Sequence, residues 1–304
     1  MFDIDIKVLH LEPTTVCNAK CPQCARENTN LYNDSINQNE ISLKKCMEIF
    51  DIEFIKNLDK MFMCGTFGDP TAAKDMLDIF KYFRKHNHNI TLGVNTNGSI
   101  RNTKWWEQLA SILNKPNDYV VFSIDGLHDT NHIYRKNVNW KKVMNNASAF
   151  INAGGSAHWD MLVFEHNEHQ IDDAEILARE MGFSWFRYKI SKRFKTNPIT
   201  NLNPPSNFVL PISNNINKIQ CHALMERSIY VSATGEKLPC CWIGSRVFNM
   251  DTKMRGFLNS KKWSSLIGSW ELNPHKICSE SCGISHNGET LFNAQWNKEV
   301  NLSL

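Results

Sequence analysis

Through residue 190, short apolar runs rich in β-branched or aromatic residues recur about every thirty residues. They lie at 7–11, 60–64, 90–94, 119–124, 159–164 and 183–189 and are expected to be strands. Segments with helical period fill the gaps. Residues 43–58 set Cys46, Met47, Phe50, Phe54 and Leu58 along one stripe, and Met76, Leu77, Phe80 and Phe83 form another. Helices over 140–153 and 171–181 are expected to stop at Gly154-Gly155 and at Gly182, where glycine can take the left-handed cap conformation. Strand–helix alternation at this spacing implies α/β architecture, a parallel sheet of βα units. Six units fall short of the eight that close a barrel, so an open, partial (βα)6 barrel is expected. Its chemistry should lie at the C-terminal strand ends.

The alternation stops after Phe194. Residues 197–217 hold four prolines and seven asparagines without a period, the character of a linker. Beyond it a hairpin is expected, with strands at 228–231 and 237–239 around a Thr234-Gly235 turn, then a tryptophan-rich helix over 260–270. The expected organisation is a barrel over 1–196, a linker over 197–219 and a small domain of hairpin and helix over 220–304.

Composition narrows the class. A chain of 304 residues can bury roughly 75% of its unfolded surface, so it does not need disulfides to fold. With 42% apolar and 21% charged residues, wholesale disorder is excluded. No apolar run is long enough for a membrane span, and the acidic start Met1-Phe2-Asp3-Ile4-Asp5 lacks the basic region of a signal peptide. A net charge of +3 does not call for nucleic acid. Ten cysteines in a chain without an export signal point to a cytoplasmic metal protein rather than to disulfides.

Three of those cysteines, Cys17, Cys21 and Cys24, fall within eight residues just after the first expected strand. Thiolates are soft ligands that select iron–sulfur clusters, zinc or copper(I). Three on one short loop can hold three irons of a 4Fe–4S cluster and leave the fourth open. Structural zinc instead wants four protein ligands.

Here the chain resembles the radical S-adenosylmethionine (radical SAM) enzymes, whose C-x3-C-x2-C motif follows the first strand of a TIM-like partial barrel. Further segments match in order, each after an expected strand. Cys64-Gly65-Thr66-Phe67-Gly68-Asp69-Pro70 is similar to the family's G-G-E-P segment, with Gly68, Asp69 and Pro70 matching and Phe67 in place of the first glycine. Asn95-Thr96-Asn97-Gly98 resembles T-N-G, and Ser123-Ile124-Asp125-Gly126 with Arg135 resembles S-x-D-G…R. Gln23 stands where the family usually has an aromatic residue.

The resemblance implies a SAM-binding 4Fe–4S cluster on Cys17, Cys21 and Cys24, with S-adenosyl-L-methionine held by Gly68, Asp69, Asn97, Ser123 and Arg135. Asp69 would accept from the ammonium, Asn97 would face the ribose, and Ser123 and Arg135 would donate to the carboxylate. It also implies a low-potential electron donor of the flavodoxin or ferredoxin type. Taken singly, each of these segments has a plainer meaning: Gly-Asp-Pro is a turn, Asn-Gly is a turn and an arginine is a solvated surface charge. Their order behind the cysteine motif is what lifts them.

The C-terminal third carries Cys221, Cys240, Cys241, Cys278 and Cys282. The spacing Cys221…Gly235-x4-Cys240…Cys278-x3-Cys282 resembles the Twitch extension, the short relative of SPASM. That resemblance implies a second, auxiliary 4Fe–4S cluster on Cys221, Cys240, Cys278 and Cys282. Cys241 would point the other way on a strand, and four zinc thiolates remain the alternative. Four protein ligands would leave no open iron, which favours an electron relay. Cys64, at the end of the second strand, is a candidate hydrogen donor to a substrate radical, against the plainer reading of a buried small hydrophobe. Cys46, on an apolar helix face, reads as core. The basic run 187–195 reads as a solvated edge, or as cations at the barrel mouth facing an anionic substrate.

The expected activity is reductive cleavage of S-adenosylmethionine and hydrogen abstraction from a substrate, in a two-electron oxidation of a small polar molecule. Epimerisation or cross-linking of a ribosomally made peptide is the second reading. A non-catalytic two-cluster electron carrier or a zinc-stabilised binding module is the alternative of another class.

Overall fold

Six strands in chain order form the centre of the fold: β1 (Val8–Leu11), β2 (Lys60–Met63), β3 (Thr91–Thr96), β4 (Tyr119–Ser123), β5 (Ala157–Val163) and β6 (Trp185–Ile190). In this computed structural model, which describes residues 5–27, 38–194, 201–207, 213–243, 261–285 and 288–303, each is parallel to its neighbour. The expected strand positions hold to within about two residues. Helices α1 (Leu43–Ile49), α2 (Ile52–Asn57), α3 (Met76–His86), α4 (Thr103–Ile112), α5 (Asn131–Tyr134), α6 (Trp140–Asn152) and α7 (Ile171–Glu180) lie between the strands.

Period two assigns the faces. Along β5, Ala157, Trp159, Met161 and Val163 are buried while His158, Asp160 and Leu162 are half-buried. The buried set packs under helices: Phe122 of β4 meets Trp106 of α4 with ring centroids 5.1 Å apart and Phe150 of α6 at 6.3 Å. Tyr119, Ser123, Asp160 and Arg187 therefore share the other face, with its polar lining.

The expected helix over 43–58 is two helices. Asp51 breaks it, its carboxylate accepting from Phe54 N at 2.8 Å as the N-cap of α2. Met47, expected in the stripe, is exposed. Glycines 154 and 182 end α6 and α7 with positive φ, as their positions require.

The C-terminal third builds onto the same sheet. β8 (Ser228–Val231) pairs parallel with β1, and β9 (Lys237–Leu238) folds back on it antiparallel, forming the expected hairpin. β11 (Trp296–Asn301) pairs antiparallel with β6. The sheet order is β11-β6-β5-β4-β3-β2-β1-β8-β9, so both edges of the six-strand unit are covered by later chain. Part of the segment read as a linker is regular: β7 (Ser213–Ile219) pairs with β10 (Gly283–Ser285). Much of the rest of 197–212 lies outside the described residues. The tryptophan-rich helix is α9 (Lys261–Gly268), and α10 (Lys276–Cys282) follows it. Among the described residues no helix is long and apolar enough to cross a membrane.

Candidate functional site

The loop after β1 carries Cys17, Cys21 and Cys24, and main-chain bonds from distant segments hold it. Thr15 N donates to Asn39 O at 3.0 Å, Asp69 N to Val16 O at 2.8 Å and Lys20 N to Lys136 O at 2.9 Å. Cys21 is buried, and Cys17 and Cys24 are half-buried. Two side chains from other segments reach the sulfurs. Asn97, just past β3, points Nδ2 at Cys17 Sγ, 3.8 Å away. Arg135, just past α5, points Nη1 at Cys21 Sγ, 3.9 Å away. Burial pushes the Cys17 thiol up to about 12, with the Asp69 carboxylate adding to it. It pushes Cys21 up to about 11, against the pull of Arg135. Without metal these thiols stay protonated at neutral pH; a metal would displace the protons.

The donor set fits an iron–sulfur cluster: three soft sulfurs on one loop, two with polar N–H donors beside them. Among the described residues no three Cys, His, Asp or Glu side chains stand close enough to grip a single ion. A cluster hands each thiolate a different iron and does not need that convergence.

The loop over 64–70 lies against this one. A Cβ on Gly68 would stand 1.9 Å from the Thr14 carbonyl oxygen, so only glycine permits the approach. Asp69 is buried, and its carboxylate is heavily used. It accepts from Thr71 N at 3.0 Å, Thr71 Oγ1 at 2.7 Å, Thr96 Oγ1 at 2.8 Å and Asn97 N at 2.7 Å. These bonds fill about the four acceptor positions a carboxylate has. The expectation that Asp69 accepts directly from an ammonium meets this commitment. Aspartate, one methylene shorter than the family's glutamate, is close enough to its own loop and to β3 to be taken up there.

Glu12, which the sequence did not single out, holds the same loop from below. Its Oε1 accepts from Phe67 N at 2.6 Å and Gly68 N at 3.1 Å, and its Oε2 accepts from the Tyr230 hydroxyl of β8. Burial raises its carboxyl pKa, and these hydrogen bonds oppose the rise.

Ser123 lies at the end of β4 on the polar face, with Asp160 as its register partner on β5. Asp125 is fully buried and takes Arg135 Nε at 2.6 Å and Leu162 N at 2.6 Å. Cys64 is half-buried at the exit of β2, its carbonyl accepting from His10 Nε2 at 2.7 Å. Burial pushes its thiol up to about 12, with contributions from Glu12 and Asp69 and opposition from Lys189. Such a thiol keeps its hydrogen and is a poor nucleophile.

Two cations of the basic run, Arg187 and Lys189, are half-buried against the last strand, while Arg193 is exposed. Arg187 grips Asp160 through two bonds of 2.7 and 3.0 Å, and its guanidinium lies 3.8 Å from the Trp296 ring centre. The Lys189 ammonium lies 4.2 Å from the same ring. Arg193 donates to the Gln23 carbonyl at 3.2 Å. Lys195 lies outside the described residues. Gln23 itself is buried, with Oε1 accepting from Ser191 Oγ at 2.5 Å and Nε2 without a partner among the described residues.

Cys221, Cys240, Cys278 and Cys282 line one apolar pocket walled by Trp242, Trp263 and Trp270. Cys278 and Cys282 share a face of α10 through their four-residue spacing. Cys221 precedes α8 (His222–Met225), and Gln220 N binds the Cys282 carbonyl at 2.9 Å. The Cys282 sulfur and burial raise the Cys221 thiol; burial pushes Cys240 up to about 11 and Cys278 up to about 12. Cys241 is not among the lining residues; its titratable neighbours are Cys240, Cys64 and Glu12. Four thiols around a dry pocket suit the same chemistry as the first loop. Cys46 is fully buried in the core.

A family model described as "Radical SAM superfamily" matches residues 11–178. A cofactor-modifying protein for a tungsten-containing aldehyde ferredoxin oxidoreductase, from Pyrococcus furiosus, is 28% identical over 123 residues, 40% of this chain and 32% of that protein. The alignment thus spans about a third of that relative. Among solved structures, anSMEcpe with bound AdoMet superposes with a TM-score of 0.63 at 15% identity, covering 95% of this chain and 91% of that one. Streptococcus suis SuiB bound to its precursor peptide SuiA gives 0.62 at 14% identity, covering 90% and 68%. Another anSMEcpe structure, with AdoMet and the Cp18Cys peptide, gives 0.60 at 15% identity, covering 90% and 88%. At these identities the likeness is one of fold: an α/β partial barrel.

Proposed function

The chain belongs to the radical SAM superfamily, and from that premise we propose that it cleaves S-adenosylmethionine reductively and begins its reaction by abstracting hydrogen from a substrate. The carrying observation is that Asn97 and Arg135, distant in sequence, reach the sulfurs of Cys17 and Cys21. Cys17, Cys21 and Cys24 would hold a 4Fe–4S cluster. When bound, that cluster and S-adenosylmethionine supply a 5′-deoxyadenosyl radical.

The chain's own residues then have defined tasks. Arg135, oriented by Asp125, and Ser123 present donors to the cofactor carboxylate. Asn97 would face the ribose. Gly68 lets the 64–70 loop close on the cysteine loop, and Asp69 and Glu12 fix that loop from inside. Cys64 keeps its hydrogen at neutral pH and is suited to return one to a substrate radical. Cys221, Cys240, Cys278 and Cys282 would hold an auxiliary cluster in a Twitch-like region over 220–304, passing single electrons. A low-potential flavodoxin or ferredoxin type of donor, in the cytoplasm, completes the scheme.

For the substrate, the charged face formed by Asp160, Arg187 and Lys189 supports oxidation of a small polar molecule. A ribosomally made peptide is the second reading, supported by the peptides bound in the SuiB and anSMEcpe structures.

The test is iron and sulfide content of anaerobically reconstituted protein beside the Cys17→Ala/Cys21→Ala/Cys24→Ala variant, with 5′-deoxyadenosine formation as second readout. About eight irons falling to about four, as two four-iron clusters require, with loss of 5′-deoxyadenosine, is expected. Undiminished 5′-deoxyadenosine in the variant would sink the assignment.

A further inference from the structure

The C-terminal pocket contains a polar group that nothing else in the fold explains. Trp270 follows α9 and lines the pocket together with Cys221, Cys240, Cys278 and Cys282. Its indole Nε1 is buried and makes no full hydrogen bond among the described residues. A buried N–H left unpaired is costly, so such a group needs a reason. The side chain beside it is that of Cys278, on the same pocket wall. Much of the pocket wall is aliphatic, with Ile219, Ile243, Leu266 and Ile277.

We propose that Trp270 is the hydrogen-bond donor to the Cys278 thiolate of an auxiliary iron–sulfur cluster, and that it sets that cluster's reduction potential. This rests on the auxiliary-cluster reading above. Hydrogen bonds to cluster sulfurs, together with solvent exposure, tune potential. Reduction adds one negative charge to the cluster. A donor aimed at a ligand sulfur stabilises the more negative form and raises the potential. In a dry pocket a single donor carries more weight than in a wet one. Trp270 thus acts through Cys278 as a positioning and tuning residue and touches no substrate.

The experiment uses the full chain with Cys17, Cys21 and Cys24 replaced by Ala, so that only the auxiliary site can hold iron. The midpoint potential is read by EPR-monitored redox titration, with and without Trp270→Phe, which keeps an aromatic ring and removes the N–H. Pulsed EPR on the parent, labelled with 15N at the tryptophan indoles, reads the nitrogen directly. The expected result is a retained cluster, a lower potential in Trp270→Phe, and an indole 15N coupling that this variant loses. A retained cluster with unchanged potential and no indole coupling overturns the proposal. If Trp270→Phe loses the cluster, the coupling in the parent decides by its presence or absence. If the parent itself holds no iron, the auxiliary-cluster reading has failed and the proposal falls with it, which is distinct from failure of the Trp270 role.

Discussion

Asp125 and Arg135 form a buried ion pair, Oδ2 to Nε at 2.6 Å, and the same guanidinium reaches Cys21 Sγ at 3.9 Å. The pair fixes the direction of Arg135. Asp125 is fully buried and the Arg135 side chain is only 16% exposed, so solvent screens the attraction little. The second carboxylate oxygen holds Leu162 N, which ties the end of β4 to β5.

Asp125→Asn keeps the shape and removes the charge. Leaving Arg135 without its partner should cost about 3–5 kcal/mol, measured as a lower urea midpoint. Arg135→Lys should weaken S-adenosylmethionine binding about tenfold or more, because a point-charge ammonium cannot serve Asp125 and the cysteine loop together as a guanidinium fork does. Calorimetric titration of the reconstituted variant checks this. Wild-type affinity in Arg135→Lys would remove Arg135 from the cofactor's partners.

Gly68→Ala tests the contact between the two loops. The added methyl would stand 1.9 Å from the Thr14 carbonyl oxygen and 2.7 Å from its carbon, both backbone atoms. The 64–70 loop must move, at a cost of about 1–3 kcal/mol. Cys17, Cys21 and Cys24 lie on the other loop. The expected outcome is full iron content with S-adenosylmethionine binding lost. Retained binding would show that the loop is not part of the cofactor site.

Some of this was legible in the sequence and some was not. The strands β1 to β6 announce themselves by short β-branched runs, but that Asn97 and Arg135 reach the sulfurs of the cysteine loop was not readable. The break at Asp51 was also readable, since an aspartate three residues before Phe54 is a helix-start signal. The edge strands β8 and β11 were not readable as parts of the same sheet, because main-chain pairing leaves no pattern that names a partner. Glu12 escaped for a similar reason: its partner Tyr230 lies 218 positions away. The commitment of Asp69 depends on two threonine hydroxyls, Thr71 and Thr96, that only the fold brings to it. The cations Arg187 and Lys189 read as an exposed edge until Trp296, from the last strand, covers them.

Ser191 and Gln23 offer a test of buried polar balance beside Cys24. Ser191→Ala removes the donor to Gln23 Oε1 and leaves a second unpaired atom on a side chain whose Nε2 already lacks a partner among the described residues. The cost should be about 1–3 kcal/mol. Adding Gln23→Leu should recover part of it, because both buried polar groups are then gone. A double variant less stable than Ser191→Ala alone would contradict this. Thermal unfolding of the three proteins under one buffer condition is sufficient.

His10 gives the pH dependence. It is buried, donates from Nε2 to the Cys64 carbonyl at 2.7 Å and stacks on Phe62 with ring centroids 4.5 Å apart. Burial lowers its pKa from 6.5 to about 4, with the Cys64 carbonyl and Glu226 opposing the fall. The unfolded chain therefore binds a proton between those two values while the folded chain does not. Stability from His10 is present above pH 6.5 and is lost as pH falls toward 4. From the size of the shift the loss is about 3 kcal/mol. His158, lowered to about 4 by burial, acts in the same direction. His10→Gln keeps an amide donor for the Cys64 carbonyl and does not titrate. Urea midpoints followed across this window should fall steeply in wild type and less steeply in His10→Gln. Equal slopes would show that His10 is not the group that buries a neutral imidazole.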